Sequence, residues 1–362
     1  MPYYKGLLDK LDQLATKQAL RRTAAGLLKL RREMKRQGVP ERNLSRTLLL
    51  ATWNIREFGK DAKYGPRLDE SRQYIAEVIS HFDLVAVQEV NQDLKDLKAL
   101  MSLLGDWWDY IVTDVTEGRS GNEERVAFIF DHRKVRFDHV AGEVVFPDTK
   151  GKKVVQAARS PFLCAFKSGW RRFSLCSVHI YYGKASPNDP RRVQEIATLA
   201  TLLAKRNKRR SQSLDGEADN VILLGDFNIF NKTGDKTSKA LAGAGFVILP
   251  AITRLPRGSN LAADKYYDQI AFHDPARRLR PTSKAGVFDF QHAVFGKDRH
   301  DDYKSEMEQT DGDKYQRAKD KAAYYKQWRT FQMSDHLPLW LELQTDFSAG
   351  YIASRAGFNK RK

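Results

Sequence analysis

The chain has 362 residues, 41% of them apolar and 11% aromatic, enough to bury one large core or two ordinary ones. Its net charge of +17 points to a polyanionic partner, nucleic acid before other phosphate-rich molecules. The two cysteines, Cys164 and Cys176, belong to no CxxC or Cys/His cluster, which argues against zinc; no apolar run nears the roughly 20 residues of a membrane span.

Residues 5–37 read as helix, with Leu7, Leu11 and Leu14 on one face, Leu27, Leu30 and Met34 on another, and Gly38 and Pro40 as the stop. Lys5, Asp9, Lys10, Asp12 and Lys17 interrupt any apolar run there, so no secretory signal is expected and a reducing cytoplasm is. Residues 1–46 hold twelve Lys/Arg against four Asp/Glu, a net of +8, and read as a basic arm outside the core. A stripe through Leu20, Leu27, Leu30 and Met34 could dock this arm on the core or on another copy.

From Leu48 the period changes. "LLLATWNI" reads as strand, "SRQYIAEVISHF" as helix and "DLVAVQEV" as strand. "RVAFIFDH" and two cysteine-bearing strands, "PFLCAF" and "FSLCSVHI", follow, the two thiols expected buried. "PRRVQEIATLATLLAKRNKRR" is a helix ending in a basic run; "NVILLGDFNIF", "YYDQIAF" and "PLWLELQ" are strands. Residues 297–331 are charged, lack a strand signal and read as an insertion holding one helix, "YQRAKDKAAYYKQW". Strands outnumber helices and several pair as hairpins, which favours a mixed sheet pair covered by helices, an α/β sandwich.

Polar residues stand directly after or before these apolar runs. They are Asn54, Glu89, His179, Asp226, Asn228, Asp268, Asp335 and His336. Taken singly, each has an ordinary explanation: a strand-end cap for Asn54, a half-buried imidazole for His179, an ion pair for Asp268. Jointly, carboxylates without thiols suit oxygen coordination of a hard cation, Mg²⁺ or Mn²⁺. Two histidines and two asparagines add donors for phosphate oxygens, and metal-assisted hydrolysis of a phosphate ester fits the set.

The ordered motifs "WNIREFG", "QEV", "EERVAFIF", "ARSPF", "VHIYYG", "GDFN", "YDQI", "FDFQ" and "SDHLP" resemble the endonuclease/exonuclease/phosphatase superfamily, most closely its deoxyribonuclease I branch. The resemblance covers roughly residues 47–346, taken as the catalytic domain, with 347–362 a basic tail. It implies a four-layer sandwich of two mixed β-sheets flanked by helices, to which the N-terminal helical arm is added. It also implies roles. Glu89 is the principal metal ligand, helped by Asn54 and Asp335. Asp226 activates the attacking water, and Asn228 holds the scissile phosphate and positions Asp226. His336, oriented by Asp268, and His179, oriented by Glu124, contact phosphate oxygens. Arg56 and Arg159 match positions that touch the nucleic-acid backbone or minor groove. Two positions depart from that branch: Asn91 stands where it has Arg, and Asn122 where it has Tyr, so a weaker preference for duplex DNA is expected.

The reading is therefore a Mg²⁺- or Mn²⁺-dependent nuclease, DNA favoured and RNA possible. Two alternatives stand beside it: a phosphatase or phosphodiesterase on a phosphoinositide or sphingomyelin-type lipid, and a non-catalytic nucleic-acid-binding module.

Overall fold

A computed structural model describes residues 2, 4, 17–59, 63–116, 122–148, 151, 154–211, 220–232 and 234–356. Leu7, Leu11 and Leu14, and the end of the basic tail, lie outside these residues.

Twelve strands form two mixed six-stranded sheets among the described residues. The first sheet is built on β1 (Thr47–Phe58) and β2 (Leu84–Val90), which run parallel at its centre. β12 (Leu339–Gln344) and β11 (Pro281–Val287) flank one side, and β4 (Arg125–Asp131) and β3 (Trp108–Val112) the other, all antiparallel to their neighbours. The second sheet repeats the plan. Its central parallel pair is β7 (Arg171–His179) and β8 (Asn220–Asp226). β6 (Phe162–Ser168) and β5 (Arg136–Glu143) lie to one side, β10 (Asp268–His273) and β9 (Val247–Ile248) to the other.

The strands of the central pairs are buried almost throughout, because both faces are covered: one by the other sheet, one by helices. The cysteines show the period-2 alternation. Cys164 pairs with Leu175 and Cys176 with Leu163 on adjacent strands, and one thiol enters the large core between the sheets while the other enters the smaller core outside the second sheet. Both are free thiols, and burial pushes Cys164 up to about 12. One polar rung bridges the two sheets: the Gln88 amide donates to Ser177 Oγ at 2.9 Å and exchanges hydrogen bonds with Thr52.

Outside the first sheet lie α1 (Lys17–Arg36), α2 (Asp69–Ser80) and α3 (Lys95–Leu104); outside the second lie α4 (Pro190–Ser211) and α5 (Lys236–Gly243). A single turn, α6 (Pro250–Thr253), precedes β10, and a further helix, α9 (Ser348–Arg355), closes the described chain.

Over residues 17–46 the structure corrects the reading of the N-terminal segment as an arm outside the core, and its apolar stripe docks on that core. Leu27, Leu30 and Met34 of α1 are buried in the main core, each contributing roughly 1.5–3 kcal/mol. The helix crosses α2 so closely that a Cβ on Gly26 would meet the Tyr74 hydroxyl at 2.4 Å. Arg22 reaches both Glu70 of α2, with Nε at 3.0 Å, and Glu306. The charges counted in the sequence as a solvated surplus are thus divided. Arg22, Arg31 and Arg42 form ion pairs inward, while Arg21, Lys29, Arg32 and Lys35 face solvent.

The single helix expected over 315–328 is two. α7 (Lys304–Arg317) ends at Ala318, whose ψ of 120° is extended, and α8 (Lys321–Gln332) starts behind Asp320, which accepts from Ala323 N at 2.9 Å. An aspartate followed by good helix formers is an N-cap signal inside what read as one continuous pattern. The insertion is packed into the fold: Tyr303, Met307, Tyr315, Tyr325 and Trp328 belong to the main core.

Candidate active site

The sheet topology explains why residues so distant in sequence meet. The parallel strands β1, β2, β7 and β8 finish at the same edge at which the antiparallel strands β4, β10 and β12 begin. In the second sheet His179, Asp226 and Asp268 occupy one row, since His179 pairs with Asp226 and Asp226 with Asp268. Every one of the expected site residues sits at this rim.

Two local features aim the side chains. At the end of β2 the register breaks after Val87, and Glu89 takes a left-handed backbone with φ of 60°. Strict alternation would turn Glu89 away from its inward-facing neighbour Gln88. The bulge instead swings it to Asn54, whose Nδ2 donates to Glu89 Oε1 at 2.8 Å, and Glu57 N donates to Oε2 at 2.9 Å. In "GDFN", Gly225 has φ of 133°, and a Cβ there would lie 2.1 Å from Val178 O, so only glycine allows β8 to approach β7 just before Asp226. Asn228 is again left-handed, at φ of 52°; its N–H donates to Asp226 Oδ1 at 2.9 Å and its Nδ2 to Ile180 O at 2.8 Å.

The two histidines are held alike. His179 Nδ1 lies 2.8 Å from Glu124 Oε2, and His336 Nδ1 lies 2.8 Å from Asp268 Oδ2. Each carboxylate fixes a ring with Nε2 turned inward, and both Nε2 atoms approach Asp226 Oδ2, at 3.6 and 3.7 Å. Burial and Arg159 oppose charging of His179, but Glu124 and Asp226 outweigh them and its pKa rises above 6.5. Burial likewise opposes the charge on His336; Asp268 and Asp226 overcome it and hold the ring well above its usual value. Burial would raise Glu124, yet His179 and Arg159 bring it down to about 2. Glu89 goes the other way: burial, reinforced by Glu124 and Asp335, raises its pKa against the pull of His179.

The remaining expected residues divide. Arg159 approaches Glu124 at 3.3 Å and is largely buried. Arg56 lies over the Phe331 ring at 4.1 Å, donates to Thr330 Oγ1 at 2.6 Å and pairs with Asp335 Oδ2 at 3.3 Å. Asp335 is half-exposed, lines the same cavity as Glu89 and adds its charge to those acting on that acid. Both arginines line a cavity of about 790 Å³ together with Glu89, His179, Asp226 and His336. Asn91 and Asn122 line it too, and Asn122 donates to Glu124 Oε1 at 3.1 Å.

Some contributors were not assigned from the sequence. Ser334 Oγ donates to Asn54 O at 2.6 Å and accepts from His336 N at 2.9 Å, tying the first and last motifs together. It was visible as the first residue of "SDH" but carries no chemistry of its own. Ser259 Oγ accepts from Asp268 N, and Tyr182 and Tyr267 form part of the cavity wall. Tyr182 and Tyr267 stand inside the motifs "VHIYYG" and "YDQI" without an assigned role, and Ser259 lies in a loop without period.

The donor set fits a hard divalent cation. Asn54 Oδ1 is buried with no hydrogen-bond partner among the described residues, beside the Glu89 carboxylate. An orphaned acceptor next to a buried acid is what an oxygen-seeking ion would satisfy. Two groups of side chains lie close enough to share an ion: Glu89, Glu124 and His179, and Asp226, Asp268 and His336.

The profile of the endonuclease/exonuclease/phosphatase family matches residues 51–246. The chain belongs to this family. Its members are hydrolases of phosphoester bonds and generally use divalent metals. Solved structures share the fold at low identity. A family member from Bacteroides thetaiotaomicron is 16% identical, with 83% of this chain and 96% of that one covered and a TM-score of 0.51. A mannosyl-6-phosphatase from the same organism is 17% identical over 82% of this chain and 99% of that one, with a TM-score of 0.50. The human Nocturnin catalytic domain, with a bound sulfate anion, is 12% identical over 82% and 94%, also at 0.50. No curated protein matches the chain in sequence. Among the described residues, no helix is long and apolar enough to cross a membrane.

Proposed function

We propose that this family member is a divalent-metal-dependent nuclease that hydrolyses phosphodiester bonds by in-line attack of water, with DNA the favoured substrate. The observation that carries the reading is the convergence of two imidazoles on Asp226, each fixed from behind by its own carboxylate. A phosphate seated between His179 and His336 would be gripped by two Nε2–H donors, on rings whose charged form the carboxylates behind them favour. Asp226, at the centre, takes the proton of the attacking water; Asn228 holds its carboxylate through the backbone N–H. Glu89, Asn54 and Asp335 would hold Mg²⁺ or Mn²⁺, and such an ion, when bound, would offset charge on the phosphoryl oxygens. Arg56 and Arg159 give the cavity a cationic rim suited to the flanking backbone.

A polymer of phosphates is favoured over a small phosphate ester by the +17 charge, much of it on solvent-facing side chains such as Arg21, Lys29, Arg32 and Lys35. The domain plan remains part of this proposal: a catalytic unit over 47–346, with residues 1–46 joined to it through α1. The test is a panel of end-labelled DNA and RNA, single and double stranded, with a soluble phosphomonoester and a phosphoinositide vesicle as further arms, each with Mg²⁺, Mn²⁺ or EDTA. Metal-dependent cleavage of DNA, absent in EDTA, is the expected result. Hydrolysis confined to the phosphomonoester or the vesicle would replace the nuclease with a phosphatase. No hydrolysis of any substrate, with oligonucleotide binding intact, would leave a binding module.

A further inference from the structure

One wall of the cavity is aromatic, and the phosphate chemistry above does not use it. Tyr182 comes three residues after His179, Phe230 two after Asn228, and Tyr267 just before Asp268. Their rings form a continuous group: Tyr182 to Phe230 at 5.9 Å, Phe230 to Tyr267 at 5.3 Å, and Tyr182 to Tyr267 at 6.3 Å between centroids. Tyr267 continues the group to His336, 5.5 Å away. Phe230 is buried behind; Tyr182 and Tyr267 line the cavity, and Tyr182 is 41% exposed.

An exposed tyrosine is ordinary. This one is built in place. Arg192 of α4 is fully buried and directs its donors to main-chain carbonyls of the loop that carries Tyr182. Nε donates to Tyr181 O at 3.2 Å, Nη1 to Ser186 O at 2.8 Å, and Nη2 to Tyr182 O and Lys184 O. Its guanidinium also lies 5.0 Å from the Phe230 ring centre. A loop clamped this way presents its aromatic side chain with little conformational freedom left to lose on binding. Lysines border the wall: Lys265 Nζ stands 5.9 Å from the Phe230 ring centre, and Lys232 Nζ 5.9 Å from that of Tyr266.

Rigid aromatic faces interleaved with cations, continuous with a phosphate site, match the chemistry of single-stranded nucleic acid, in which bases stack and the backbone is neutralised. We propose that Tyr182, backed by Phe230 and Tyr267, is a base-stacking subsite for the nucleotide that flanks the scissile phosphate on the His336 side. The inference rests on the nuclease reading and adds to it a contact with the base.

The test maps every cut in a short single-stranded oligonucleotide. A tetrahydrofuran abasic residue is placed in turn on each side of a defined cleavage site. In the wild-type protein, removing the base on one side is expected to lower kcat/KM about 10-fold, since stacking of one base is worth roughly 1–3 kcal/mol. Removing the base on the other side should have a smaller effect. Tyr182→Ala should cut the base-bearing oligonucleotide about as slowly as the abasic one, while Tyr182→Phe keeps the wild-type difference; melting temperatures confirm that both fold. Equal wild-type rates with and without the base on both sides would overturn the inference, as would a Tyr182→Ala protein that still distinguishes them. If no oligonucleotide is cut while a small phosphomonoester is hydrolysed, the nuclease reading fails and this inference falls with it.

Discussion

Two regions of this molecule bury charge, and they do so in opposite ways. Under α1, Arg22 sits between Glu70 and Glu306, with Tyr74 donating to its main-chain carbonyl at 3.1 Å. Two acids from different helices share one guanidinium there, so the cluster ties α1 to α2 and to α7. At the sheet rim, acids gather around a cavity: Glu89, Glu124, Asp226 and Asp268 outnumber the imidazoles that face them. Buried charge that is shared between elements locks them together. Buried charge that is crowded and open toward a cavity is arranged for something that comes from outside.

The largest separation of the two regions should come from their removal. Glu89→Gln and His336→Asn are each expected to lower kcat by about 10²-fold or more. The melting temperature should hold or rise for Glu89→Gln, which thins a crowd of acids, and fall for His336→Asn, which leaves Asp268 without its partner. Turnover per folded molecule and thermal melting, measured on the same preparations, check this. A variant that unfolds yet keeps its specific activity would make the rim structural.

Arg22→Leu should do the reverse: full turnover per folded molecule, but a stability loss of about 3–5 kcal/mol from leaving acids buried without their partner. The loss depends on pH with a definite sign. Burial already raises the pKa of Glu70 against the pull of Arg22, and loss of the arginine raises it further. A carboxyl whose folded-state pKa exceeds its unfolded value costs nothing while protonated, and costs stability as pH climbs past the unfolded value of about 4.3. Denaturant melts should therefore show a large deficit at pH 8 and a smaller one at pH 5. Glu70→Gln in the same background should recover part of it at pH 8. A deficit independent of pH would mean that Arg22 acts through packing alone.

The outer face of α1 sharpens the comparison further. Truncation at residue 47 would remove Leu27, Leu30 and Met34 from the core, so it cannot report on how substrate is held. Changing Arg21, Lys29, Arg32 and Lys35 to Gln spares the inward pairs. Nucleic-acid binding by a Glu89→Gln background should then show a salt slope flatter by about one unit or more, since each phosphate that is no longer neutralised flattens it by roughly 0.7–0.9. Parallel lines would confine this face to folding.

A smaller effect concerns the rim's other occupants. Asn91→Arg adds reach beside the cavity and should raise the duplex-to-single-strand rate ratio several-fold. Asn122 is a poorer place for the companion change: its φ of 56° suits asparagine, and a tyrosine there would be strained. An unchanged ratio for Asn91→Arg would detach duplex preference from this position.

The sequence by itself determined the rim and the inner strands, whereas the edge strands β3, β5, β9 and β11 were not read from it. Polar residues in "TWN", "QEV", "SVHI", "GDFN", "YYDQI" and "SDHLP" follow or precede apolar runs directly, and a strand of period 2 has few ways to end. Once the strands pair in a sandwich, their ends fall on a common edge, so Asn54, Glu89, His179, Asp226, Asp268 and His336 were legible from local pattern. What lies at long range was not. The basic α1 helix looks the same in sequence whether it is solvated or docked. Only the fold supplies Tyr74 beneath Gly26 and the acids Glu70 and Glu306 for Arg22. The bulge that turns Glu89 toward Asn54 depends on the register between β1, β2 and β4, which no single strand encodes. The clamp of Arg192 on the Tyr182 loop joins residues ten apart, and the aromatic wall joins loops far apart in sequence. Local pattern is set by neighbours along the chain, and it was readable. Charge pairing, register and convergence are set by neighbours across space, and only the packed structure decides them.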